Sequence, residues 1–290
     1  MRAKPGRGGS VATTQAVRDI FIEANGLRHH LIARGSPGSP VVMMLHGLAG
    51  QAHVFDAIAT RLATNYHVYC LDVRGRGESG WGPANEYGFD TYVADLEAIR
   101  EGLGLQKMTL VGTSMGALIA IQYAAKFPEH VEKLVVNDAG PEVDPAGLQR
   151  ILDYVKNAPE MFADMKAVVR YYKEHYAPMV EHLPEDQVAD FARYNVRKSD
   201  SGVYVWKMDP AVRSAAAPPP AMDHWTAWRA LKCPVLLLRG AKSDVLSRQV
   251  AEKMVESLPG TKLVEVPGVG HAPVLTEPAA VKALEEFLRS

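Results

Sequence analysis

The chain has 290 residues, 47% of them hydrophobic and 22% charged, with a formal net charge of −1. This profile fits an ordinary soluble globular protein of one large or two small domains, and the balanced charge argues against nucleic-acid or membrane-surface binding. No apolar run approaches the roughly 20 residues needed to span a bilayer.

The basic segment Met1–Ser10 is not followed by an apolar stretch, so residues 1–16 read as a disordered lead-in rather than a secretion signal, and the cytoplasm is the expected compartment. Next, Asp19–Glu23 and Leu27–Ile32 flank Asn25-Gly26, a β-hairpin signal. Val41–Leu45 is continuously apolar, as a strand buried on both faces should be. A helical stretch over His53–Leu62, the strand His67–Leu71, a helix over Thr91–Leu103, the strand Met108–Val111, its following helix and the strand Leu134–Val136 complete the first half. The two cysteines, Cys70 and Cys233, are read in separate core strands as buried free thiols.

From about Pro141 to His224 the pattern becomes helical and rich in tyrosine and methionine, including Tyr154, Met161, Met165, Tyr171, Tyr172, Tyr176 and Met179. Three to five such side chains are expected to wall an apolar pocket; the rest pack the segment itself. Ala215–Pro220 ends in three prolines and reads as a stiff linker. Strand–helix alternation then resumes with Val235–Leu238, a helix near Ser247–Leu258, Leu263–Val266 and a final helix from Pro278. The expected architecture is a mostly parallel α/β sheet flanked by helices, with a helical cap at 141–224 inserted after the sixth strand of a core formed by 17–140 and 225–290.

Four features carry chemistry. Gly112-Thr113-Ser114-Met115-Gly116 sits between a strand and a helix. A turn that tight leaves no room for a Cβ at either glycine, lifts Ser114 above the sheet and puts the Met115 N–H at a helix N-terminus, where it can meet an oxyanion. A serine hydroxyl needs a base, and His271, in the loop after Leu263–Val266, has the best setting of the ten histidines. For the carboxylate that orients it, Asp244 after Val235–Leu238 is preferred, with Asp138 after Leu134–Val136 as the rival at the same sheet edge. Finally, His46-Gly47-Leu48-Ala49-Gly50 follows Val41–Leu45; Leu48 would supply the second oxyanion N–H, and His46 is read as structural.

These motifs, in the order Ser114, Asp244, His271, resemble the α/β-hydrolase superfamily. Leu71–Ser79 also resembles that family's loop after its fourth strand. The resemblance covers roughly 19–139 and 225–290, and the central insertion matches the family's lid in position only. It implies a serine hydrolase of the esterase or lactonase type that needs no cofactor. The aromatic and methionine content of the insertion adds the expectation of a small, largely apolar ester or lactone, and no residue cluster has metal-ligand spacing. Alternatives are a C–C bond hydrolase of a diketone, a cofactor-free perhydrolase and, without enzymatic turnover, a ligand receptor on the same fold. A homodimer is compatible with the sequence. Gly75-Arg76-Gly77-Glu78-Ser79-Gly80 has the spacing of a dinucleotide-binding loop, but Trp81-Gly82-Pro83 follows where that site needs a helix. The adjacent His29 and His30 point to opposite faces of a strand and do not form a metal site.

Overall fold

The computed structural model of the protein describes residues 17–176, 180, 183–214 and 222–290. The lead-in, Met179 and the proline-rich linker lie outside the described residues. Strands β1 (Arg18–Ala24) and β2 (Leu27–Arg34) form an antiparallel hairpin. Asn25 and Gly26 both take positive φ, 47° and 73°, as a two-residue turn of the primed type requires. Then come β3 (Val41–Leu45), a 3₁₀ turn leading into α1 (Asp56–Leu62), β4 (His67–Leu71) and α2 (Phe89–Gly102). β5 (Met108–Thr113), α3 (Met115–Lys126) and β6 (Val131–Asn137) follow.

After β6 the chain leaves the sheet. The insertion holds α4 (Pro145–Lys156), β7 (Met161–Phe162), α5 (Met165–His175), α6 (Glu185–Arg193), β8 (Val196–Lys198), β9 (Tyr204–Trp206) and α7 (Pro210–Ser214). It is therefore not purely helical: β7, β9 and β8 form a small antiparallel sheet. Runs of two or three strand residues are too short to show a period in sequence. α8 (His224–Ala230), β10 (Val235–Gly240), α9 (Arg248–Ser257), β11 (Lys262–Val266) and α10 (Pro278–Arg289) return to the core.

The main sheet has eight strands in the order β1-β2-β4-β3-β5-β6-β10-β11, and only the pairings of β2 are antiparallel. Strand alternation builds two cores: Met43 and Leu45 join one face, Val42 and Met44 the other. A third cluster, with Phe162, Tyr172, Tyr176 and Trp206, belongs to the insertion. Cys70 is buried in β4, whereas Cys233 precedes β10 and is only half-buried; both are free thiols. The strand order reverses around β3, between β4 and β5, and a parallel sheet opens its crevice for ligands at such a point, at the carboxyl ends of the strands. Among the described residues no helix is long and apolar enough to cross a membrane.

Candidate active site

Ser114 joins β5 to α3 with φ 53° and ψ −119°, a left-handed backbone conformation that costs energy for a residue with a side chain. The flanking glycines permit it. A Cβ on Gly112 would lie 2.4 Å from the Gly116 carbonyl oxygen, and one on Gly116 would lie 2.1 Å from that of Leu45. The expectation drawn from the motif therefore holds.

His271 Nε2 lies 2.9 Å from Ser114 Oγ, and its Nδ1 lies 2.8 Å from a carboxylate oxygen of Asp138. A carboxylate only accepts, so Nδ1 carries the proton and Nε2 accepts from the serine hydroxyl. Asp138 is fully buried, and its two oxygens also accept from the Gly240 N–H at 2.9 Å and the Ser243 hydroxyl at 2.7 Å. These bonds leave it one orientation.

The preferred carboxylate, Asp244, is not on His271. It faces α4, where the Arg150 guanidinium grips both of its oxygens at 2.6 and 2.8 Å and holds its carboxyl below the usual range. α9 is capped by Ser247, whose side chain accepts from the Val250 N–H. The end of β10 and the loop after it instead send Gly240 and Ser243 to the acid that follows β6. Ser243 was not among the sequence candidates, nor was the buried Asn137, whose amide donates to Thr113 Oγ1 at 3.0 Å and to the Pro273 carbonyl at 2.8 Å. Asn137 thereby ties the end of β5 to the loop carrying His271.

Leu48 and Met115 both lie beside Ser114, lining one cavity with it. Met115 opens α3, so its N–H has no partner within the helix. His46 is structural as read. Fully buried, it donates from Nδ1 to the Gly47 carbonyl at 2.7 Å and accepts the Val73 N–H on Nε2 at 3.0 Å. Burial pushes its pKa down to about 4. An unfolded imidazole titrates near 6.5. The stability His46 contributes is thus complete above that pH and lost as the pH falls towards 4, up to about 3 kcal/mol. Denaturant midpoints from pH 7 to 4.5 should fall more steeply for the wild type than for His46→Asn. Equal slopes would mean that His46 is protonated in the folded state as readily as in the unfolded one.

Two cavities meet at Ser114. The smaller, about 60 Å³, is bounded by Val54, Phe55, Ile151, Tyr154, Phe191 and the loops carrying Gly47, Ser114 and His271; among the described lining residues, His271 is the one that can become a cation, and none is a carboxylate. The larger, about 640 Å³, runs under α4 and α7 and includes Arg76 and Arg213. Of the six described tyrosines and methionines singled out in the insertion, Tyr154 and Tyr176 line one of the cavities, fewer than expected. The others that the structure describes pack the insertion itself or, like Met161, lie exposed. The run Gly75–Gly80 forms turns and opens no helix. His29 bonds the Ala24 carbonyl while His30 faces Asp72 and Asp19.

A half-buried hydroxyl, a buried imidazole and a buried carboxylate in series, at the carboxyl edge of this sheet, define a class of protein. Residues 40–278 match the family described as alpha/beta hydrolase fold, and the chain belongs to it. It is 34% identical over 264 residues to a 3-hydroxybutyrate-oligomer hydrolase of Cupriavidus necator, covering 87% of this chain and 90% of that protein. Its identity to a 2-(acetamidomethylene)succinate hydrolase of Mesorhizobium japonicum is 28%, over 89% of this chain and 91% of the relative. The crystal structure of an alpha/beta hydrolase from Novosphingobium aromaticivorans superposes with a TM-score of 0.86 at 34% identity, covering 94% of this chain and 98% of that one.

Proposed function

We propose that the protein is a serine hydrolase that cleaves a carboxylic ester or lactone through an acyl-enzyme. The observation that carries this reading is the unbroken hydrogen-bonded series from Ser114 through His271 to Asp138. In it, Ser114 Oγ attacks the carbonyl carbon while His271 Nε2 takes the hydroxyl proton. The resulting imidazolium is stabilised by Asp138, and the Leu48 and Met115 N–H groups receive the oxyanion. Collapse expels the alkoxide, which takes the proton from His271. A water deprotonated by the same nitrogen then attacks the acyl carbon, and Ser114 leaves with its proton restored.

The smaller cavity gives this reading a size limit. At about 60 Å³ it has room for about four water-sized groups, which suits a short apolar substituent. The relative named for 3-hydroxybutyrate oligomers supports the bond type, because hydroxy acids oligomerise through esters. A fluorophosphonate probe should label Ser114 once per chain, and p-nitrophenyl butyrate should be turned over many times per enzyme molecule. Ser114→Ala should abolish both while its circular dichroism stays that of the wild type. Labelling that persists in the variant would remove the nucleophile, and a single turnover would point to a receptor.

A further inference from the structure

Arg74 and Arg76 lie two residues apart in the same loop, and both are buried. Arg74 is neutralised: Asp95 takes two of its donors at 2.7 and 2.8 Å, and Glu86 a third. Arg76, only 1% exposed, has no ion-pair partner among the described residues. Its guanidinium donates to neutral oxygens, those of Leu48 at 3.1 Å, Arg74 at 2.7 Å and Tyr92 at 2.9 Å, and otherwise meets the thioether of Met115 at 3.4 Å. Tyr87 and Tyr92 present rings at 5.9 and 5.3 Å. Asp209, which accepts from the Tyr87 hydroxyl and the Ala211 N–H, does not pair with it. A buried cation without an anion is costly, and a sulfur is a poor acceptor for a guanidinium N–H.

This cation borders the larger cavity, which Ser114, Leu48 and Met115 also line. Arg213, half-buried and bonded only to the Ala158 carbonyl among the described residues, and the exposed Lys156 add two more positive charges to that wall, against one carboxylate, Asp153. Arg193, Arg197 and Lys198, three exposed basic residues of the insertion, line neither cavity.

Resting on the ester-hydrolase reading, we infer that the substrate carries a free carboxylate, received in the larger cavity by Arg76 and Arg213 while its short apolar end fills the smaller one. The expected apolar pocket thus describes one half of the site. A carboxylate would replace the thioether at the free edge of Arg76 and form a charge-assisted pair in a water-poor setting.

The carboxylate could sit on the acid or the alcohol side of the scissile bond, so the test has two arms. One compares mono-p-nitrophenyl succinate with p-nitrophenyl pentanoate; the other compares 3-(butyryloxy)butyrate with its methyl ester. In at least one arm the wild type should favour the anion by roughly 10- to 100-fold in kcat/KM. Arg76→Gln should erase that ratio, and Arg213→Gln, placed where folding is less at risk, should reduce it several-fold. Neutral substrates in both arms used at least as well as the anions would overturn the inference, and so would a preference that survives both variants. Either outcome, with Ser114 still labelled, would leave the ester-hydrolase reading standing; a wild type that the probe does not label would remove that reading and, with it, the inference that rests on it.

Discussion

Asp138→Asn is expected to lower kcat by about 10⁴-fold, the loss typical when a triad carboxylate is neutralised and the imidazole tautomer is set wrongly. The amide can present its NH₂ to His271, which then holds its proton on Nε2 and has no lone pair for the serine hydroxyl. The fold should survive, because Asn is isosteric and the Gly240 N–H keeps its oxygen acceptor on Oδ1. Asp244→Asn is expected to behave differently. It weakens a partly exposed pair with Arg150, worth up to about 1 kcal/mol after solvent screening, and loosens α4, which carries Ile151 and Tyr154 into the smaller cavity. Its effect should be a few-fold and mostly in KM. Steady-state kinetics on p-nitrophenyl butyrate with both variants ranks them. If Asp244→Asn costs more kcat than Asp138→Asn, the acid belongs at the end of β10 after all.

That ranking was not readable from the residues alone, for a definable reason. Both aspartates follow core strands and emerge at one edge, so strand order and spacing treat them alike. What separates them is Arg150, 94 residues before Asp244, which reaches back from the insertion and takes that carboxylate out of play. Asp138 also uses φ 56°, a conformation Asp tolerates better than most residues, to turn back towards β10. Such long-range pairings leave no periodic trace. The features that were legible are local ones: the apolar runs of β3 to β6, the Asn25-Gly26 turn, and Pro278 opening α10. Ser114 and His271 were legible because turn chemistry and a strand's end placed them. Arg76 was hidden within a glycine-rich string whose familiar meaning did not apply, and its lack of an ion-pair partner among the described residues is something only the packing reveals.

Gly116→Ala is expected to damage stability and turnover together, and the cause lies in where its Cβ would go. That carbon would sit 2.1 Å from the Leu45 carbonyl oxygen and 2.7 Å from that of His46, both backbone atoms that cannot swing aside as a side chain can. Either the start of α3 or the end of β3 must move, at the roughly 1–3 kcal/mol typical of overpacking. In a chain of this size the melting temperature should drop by several degrees. The same movement separates Met115, at the start of α3, from Leu48, in the loop after β3. If those two residues supply the oxyanion N–H groups, losing one of them costs about 10²–10³ in kcat. Gly47→Ala is the matched control for stability. Its Cβ would meet Ser114 Cβ at 3.4 Å, an ordinary contact, so its melting temperature should stay close to that of the wild type. Differential scanning calorimetry and kcat on p-nitrophenyl butyrate decide the matter. A Gly116→Ala enzyme that melts and turns over like the wild type would show that the close approach of α3 to β3 does not hold the oxyanion site together.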